Sequence, residues 1–165
     1  MGSEMCIRDS SNSNVMDYIT ISTTGNATDF GDTSAICGYN SSVSDGSRGV
    51  VFQGQRGTGF SNVLEYVTID TTGNTTDFGD STQSRYTAAG ISNDTRGLYG
   101  GGLNTSSAPV NTIDYITIAT TGNATNFGDI TVSRFYAGGA TDGSRALWMG
   151  CLLYTSPSPR DLSTS

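Results

Sequence analysis

This sequence predicts an all-β fold, on three observations. Of its 165 residues, 22 are Gly, 35% are hydrophobic and 14% are charged. A chain in which Gly, Ser, Thr and Asn fill the remainder favours short strands joined by turns over long helices. Runs such as Asp17-Tyr18-Ile19-Thr20-Ile21 alternate polar and β-branched residues, the period of a strand. Finally, one unit is written three times: MDYITISTTGNATDFGD at 16–32, LEYVTIDTTGNTTDFGD at 64–80 and IDYITIATTGNATNFGD at 113–129. Tyr18, Tyr66 and Tyr115 keep this register, as do Arg48, Arg96 and Arg145. A repeat of roughly 20–50 residues indicates a solenoid, a propeller or an array.

Each element follows from local chemistry. Ile19 and Ile21 share one face of the first strand, and Tyr18 and Thr20 the other. Gly25-Asn26, Gly73-Asn74 and Gly122-Asn123 tolerate positive φ, so the chain reverses there into a short strand around Thr-Asp-Phe. A third strand is expected near RYTAAG (85–90) and RFYAGG (134–139). Reversals follow at 44–48, 92–96 and 141–145, two of them with the Asp-Gly hairpin signal. GVVFQG, GLYGGG and ALWMG supply a fourth strand, whose glycines permit close backbone approach. About 50 residues per four-stranded antiparallel meander is the arithmetic of a propeller blade. The expectation is a partial propeller of about three such blades, a ring closing with roughly 4–8. The chain therefore reads as part of a longer protein, with further blades of the same parent chain as partners.

Starting the blade at its glycine-rich strand makes RYTAAG the fourth strand and Ser92–Arg96 the link onward. One rim then carries Thr23–Asp29, Thr71–Asp77 and Thr120–Asn126, alternating with Ser44–Arg48, Ser92–Arg96 and Thr141–Arg145. Loops on a rigid scaffold are the usual bearers of function. The candidate binding residues are Asn26, Asp29, Arg48, Asn74, Asp77, Arg96, Asn123, Asn126 and Arg145. The opposite rim, Gln55–Asn62 and Leu103–Asn111, is the competing face. Structural roles compete for the same residues: Tyr18, Tyr66 and Tyr115 as packing between blades, and Arg48, Arg96 and Arg145 as partners of Asp45, Asp94 and Asp142 in their turns.

Charge and missing residue types narrow the chemistry. The net charge is −7, from 8 Arg and no Lys against 15 acids, and there is no His. Without imidazole, Ser-His-Asp and Cys-His catalysis and most zinc sites drop out. Scattered Arg on an acidic chain give no basic patch, so no nucleic-acid partner is expected. No run of 18 apolar residues offers a membrane span and no basic start with an apolar stretch offers a signal, so no membrane partner is expected and localisation stays open. Asp29 with Asp32, Asp77 with Asp80, and Asp129 lack the spacing of a calcium loop and read as turn caps. A catalytic carboxylate pair would be unique, whereas these recur in every copy. No catalytic residue, metal or cofactor is therefore assigned. The Asn-x-Ser/Thr matches at Asn26, Asn40, Asn74, Asn93, Asn104 and Asn123 follow from composition.

Two resemblances extend this reading. Paired glycines at 100–102, then Tyr115, Phe127 and Arg134, resemble kelch repeats, with Phe30, Phe78 and Phe127 where Trp is usual. The wording of the unit is similar to DYITIATTGNATDFGD-type repeats of tailed-phage and marine metagenomic structural proteins. That resemblance implies a non-catalytic binding or structural propeller, virion-associated as in a tail fibre, engaging a protein or glycan receptor. The alternative is a fragment of a carbohydrate-active enzyme whose catalytic residues lie in further blades. Cys37 departs from the repeat, standing where Arg85 and Arg134 stand; Cys37→Arg is expected to be tolerated. MGSEMCIRDS at 1–10 and CLLYTSPSPRD at 151–161 resemble translated tagmentation adapters in matching orientation. Residues 1–10 and 151–165 are therefore expected to add no native packing.

Overall fold

The computed structural model describes residues 12–57 and 59–150; the adapter-like ends lie outside them. The described residues contain strands and no helix. In chain order the strands are β1 (Ser13–Tyr18), β2 (Thr28–Gly38), β3 (Ser41–Ser44), β4 (Arg48–Phe52), β5 (Gln55–Arg56), β6 (Gly59–Phe60), β7 (Val63–Thr68) and β8 (Thr76–Asp80). There follow β9 (Arg85–Tyr86), β10 (Ala89–Ser92), β11 (Arg96–Gly100), β12 (Leu103–Asn104), β13 (Thr112–Thr117), β14 (Thr125–Asp129), β15 (Gly138–Thr141) and β16 (Ala146–Met149). The all-β class is as expected, and the sheets are antiparallel.

Two sheets are complete meanders, β3-β4-β7-β8 and β10-β11-β13-β14. Their neighbours are halves. At the N-terminal side β1 and β2 occupy the third and fourth positions of the unit, with the small β5–β6 hairpin added beyond β2. At the C-terminal side β15 and β16 occupy the first and second positions. The expected frame, with Ser92–Arg96 as a link between sheets, is corrected: that segment closes the β10–β11 hairpin within one sheet. The reason is local. Asn93 Oδ1 accepts the backbone N–H groups of Thr95 and Arg96 at 2.9 and 2.7 Å, tightening the turn, and Asp45 and Asp142 do the same in their copies. The expected pairings of Arg48, Arg96 and Arg145 with Asp45, Asp94 and Asp142 are corrected likewise: among the described residues none is an ion pair, Asp45 and Asp142 accepting the backbone N–H of their Arg and Asn93 taking that place in the middle copy.

The strand placed at RYTAAG starts later, at Ala89. Before it, Thr87 sits at φ 59°, as do Tyr39 at 55° and Tyr136 at 54° in the same repeat position. This left-handed kink is costly for side chains other than Gly and Asn, so no turn residue advertises it. It separates the first strand from a link that stitches sheets together: β9 pairs with β12 of the next unit, as Cys37 and Gly38 pair with Arg56 and Gln55.

The core lies between the two complete sheets: Val43, Val50, Phe52, Leu64, Phe78, Tyr99, Ile116 and Ile118. Phe52 and Tyr99 stack with ring centroids 4.4 Å apart. The first strands run side by side, Ser41 Oγ accepting the Gly90 N–H at 2.6 Å and Ser92 Oγ that of Ser44 at 3.1 Å. Each Tyr packs edge-on against the Phe of its own sheet, Tyr66 on Phe78 at 6.1 Å and Tyr115 on Phe127 at 6.0 Å, so its aromatic contact is within one sheet rather than between sheets.

A fully buried ion pair crosses the junction. Arg85 Nη2 lies 3.1 Å from Asp114 Oδ2 and donates to the Tyr99 carbonyl at 2.7 Å, while Nη1 donates to the Thr112 carbonyl at 2.9 Å. Thr82 completes the carboxylate's shell with its N–H at 3.1 Å and its hydroxyl at 2.7 Å. Burial pulls the Arg85 pKa below its ordinary value, against the opposing pull of Asp114. One unit earlier the guanidinium position is Cys37, a buried thiol beside Asn40 Nδ2 at 3.0 Å. There the acid is the longer Glu65, bonded by Ser34 and Thr75, with Arg56 reaching within 3.9 Å from β5.

Candidate functional site

Alternating connections bring the 1–2 and 3–4 hairpins of each complete sheet to one end of that sheet. The register shows it directly: Arg48 faces Thr68 at the end of β4, and Arg96 faces Thr117 at the end of β11. The two loop sets therefore share one end of the sheets even though the sheet frame differs from expectation. A shift of frame moves which sheet a loop belongs to, not which end it leaves from.

The rim carries a recurring cleft between the end of the third strand and the Thr-Thr-Gly-Asn loop. In one sheet it measures about 320 Å³ and is lined by Tyr66, Thr68, Thr72, Gly73 and Asn74; in the next it measures about 310 Å³, lined by Tyr115, Thr117, Thr121, Gly122 and Asn123. A smaller version of about 140 Å³ lies against Tyr18, Thr20 and Asn26. An Arg stands over the Tyr wall of both larger clefts, Arg48 4.3 Å from the Tyr66 ring centre and Arg96 4.9 Å from that of Tyr115. Hydroxyls, an amide and an aromatic edge furnish neutral hydrogen bonding and stacking.

The nine sequence-derived residues divide by what they touch. Asn74 and Asn123 belong to junctions between sheets: their Oδ1 atoms accept the N–H of Asp32 and Asp80 of the preceding unit, each at 3.0 Å. The same loops donate backbone N–H from Gly73 to the Phe30 carbonyl and from Gly122 to that of Phe78, each at 2.7 Å. Only glycine suits the facing positions, because Gly31 and Gly79 lie at φ 143° and 140° and a Cβ would strike the Gly73 and Gly122 backbones. Asn26, which has the same sequence context, is exposed. Arg48 also holds the next sheet, Nη1 donating to the Ile118 carbonyl at 3.0 Å. Asp29 Oδ1 accepts the Gly31 N–H at 3.2 Å, and Asp77, Asn126 and Arg145 project from the rim exposed.

The turn carboxylates of Asp45 and Asp142 are held below their ordinary pKa, chiefly by the backbone N–H groups of Arg48 and Arg145. Among the described residues, no cluster of three or more Cys, Asp or Glu is arranged to hold a metal ion. The sequence reading missed the Arg85–Asp114 pair; its signal was an acid recurring inside an apolar strand at Asp17, Glu65 and Asp114. No protein-family model matches this chain, nor does any curated protein sequence.

Proposed function

We propose that this chain is a binding and structural, non-catalytic segment of a kelch-like propeller in a virion-associated protein such as a tail fibre. Its Thr- and Asn-rich rim engages a protein or glycan receptor. The observation that carries this reading is the recurrence of one cleft, with the same Tyr, Thr, Gly and Asn lining, at matching places in successive units. Repeated weak sites on a common rim gain affinity together through effective concentration, without any single deep pocket. Neutral donors and acceptors beside an aromatic edge suit hydroxyl-rich ligands.

The test is a glycan array and host-cell binding with the full chain, comparing Thr72→Val/Thr121→Val and Asp77→Ala/Asn126→Ala variants. Loss of binding with unchanged folding supports this rim. Retained binding that is lost on substituting Gln55–Asn62 and Leu103–Asn111 moves the site to the opposite rim, and absence of binding by the unsubstituted chain overturns the receptor reading.

A further inference from the structure

The end of the sheets opposite the Thr- and Asn-rich rim carries a second recess, and its walls come from three successive units. The left-handed kinks before β3, β10 and β15 place Tyr39, Thr87 and Tyr136, with Asn40, Ala88 and Ala137 beside them, around a cavity of about 260 Å³. Two of the kinks are tied together, Tyr136 donating its backbone N–H to the Thr87 carbonyl at 2.9 Å. Because β10 runs between β3 and β15, the cavity lies within the array, and Thr87 at its middle has a first strand on either side.

The lining has a definite chemistry. Thr87 is 7% exposed, yet its Oγ1 has no hydrogen-bond partner among the described residues. A buried hydroxyl left unpaired is costly, and a polar ligand seated in the cavity that Thr87 borders supplies the missing partner. Tyr39 and Tyr136 are the reverse case, large aromatic side chains that are 50% and 54% exposed. The Tyr39 ring is backed by Tyr86 at 5.7 Å between centres, and Tyr86 in turn by a stack with Phe60 at 4.7 Å and by Ser107 Oγ, 3.1 Å from its hydroxyl. Asn40 is held as well, its Nδ2 donating to Cys37 Sγ at 3.0 Å. Walls fixed in this way before a ligand arrives reduce the ordering cost of binding. Among the described residues no Asp, Glu or Arg lines the cavity, so it offers no counter-charge to a phosphate, carboxylate or ammonium group.

We propose that this recess binds one ring of a neutral sugar. Drug-sized ligands occupy sites of roughly 300–1,000 Å³, and the smaller space here suits a single ring. A sugar ring has an apolar C–H face for the exposed Tyr39 and Tyr136 side chains and a hydroxyl edge for Thr87 Oγ1 and Asn40. A purely apolar ring would leave the Thr87 hydroxyl unpaired, and a charged ligand would lose its hydration without compensation. The recess and the Thr- and Asn-rich loops lie at opposite ends of the sheets, so this inference stands whether or not that rim engages a receptor.

Saturation-transfer NMR and calorimetric titration of the full chain with the methyl glycosides of glucose, galactose and N-acetylglucosamine test it. The expected result is millimolar binding of at least one of them, with saturation transferred from tyrosine ring protons. Tyr39→Ala and Tyr136→Ala, both at exposed side chains, should each weaken binding about tenfold. Tyr39→Phe, which keeps the aromatic face, should retain it. Thr87→Val preserves the β-branched shape and removes only the hydroxyl, so it should weaken binding while leaving the circular dichroism spectrum unchanged. Thr72→Val/Thr121→Val at the other end should have no effect. Sugar binding that is lost in this last pair and kept in Tyr39→Ala, Tyr136→Ala and Thr87→Val would overturn the proposal. So would binding of p-cresol or acetate in the recess when none of the glycosides binds, or no binding by any of these probes.

Discussion

The junction between the two complete sheets and the two sides of the array are written in the same residues, but they live in opposite environments. Phe78 and Ile118 are buried where both sheets are present, while Phe127 and Ile21 are exposed in closely similar sequence surroundings. Asn123 clamps a backbone N–H, and Asn26 offers the same amide to none of the described residues. In this repeat, burial is a property of the junction rather than of the residue, so stability should be concentrated where sheets meet.

The sharpest way to break that contrast is the buried ion pair. Arg85→Met leaves Asp114 buried without its cation, and a loss of about 3–5 kcal/mol is expected in urea denaturation. Arg85→Met/Asp114→Leu should recover most of that loss, and Arg134→Met at the open side should cost far less in dilute, monomeric chain. Next comes the apolar plug. Ile118→Ala should cost about 2–5 kcal/mol, against less than about 0.5 kcal/mol for Ile21→Ala under the same conditions. Equal costs at the two sites would erase the distinction.

Alkaline titration probes the same junction. Burial pushes the Tyr99 hydroxyl up to about 12. A group whose folded pKa is raised stabilises fully below its unfolded value and loses that contribution as pH climbs through the folded one. Stability should therefore fall by about 2–3 kcal/mol between pH near 10 and near 12, and Tyr99→Phe should flatten that fall. Asn123→Ala should cost about 1 kcal/mol, the scale of one hydrogen bond, and Asn26→Ala nothing measurable in the monomer. The smallest effect belongs to the exposed turns. With the carboxyls of Asp45 and Asp142 depressed, their contribution is present above the ordinary value of 3.8 and fades as pH drops through the folded one. A slight acid loss of Tm, removed by Asp45→Asn in keeping with Asn93 at the matching position, would show it.

Much of the fold was legible because it rests on local chemistry. The Tyr-Val-Thr-Ile and Tyr-Ile-Thr-Ile alternations marked β7 and β13, and the Gly-Asn and Asp-Gly turns marked the reversals. The sheet frame was not legible, since a hairpin turn and a link between sheets use the same small polar residues. What distinguishes them is the left-handed kink at Tyr39, Thr87 and Tyr136, none of which is a turn-forming type. At the rim, sequence placed the loops on one end but could not assign their work. Whether Asn74 is a ligand contact or a clamp depends on Asp32, 42 residues away in the chain and 3.0 Å away in space. The Cys37 site shows the same limit: its loss of a guanidinium is matched by Arg56 on β5, a position that no repeat alignment pairs with it.

The uniform clamp also has a genetic consequence. Every junction joins the Phe-Gly-Asp strand of one unit to the Gly-Asn loop of the next, so each unit carries one half of two different contacts. Unequal crossover between gene segments encoding equivalent positions would lengthen or shorten the array by whole units and leave all of its internal junctions intact. The number of units can thus change by recombination without any compensating point substitution, and near-identical wording in the copies favours such exchange.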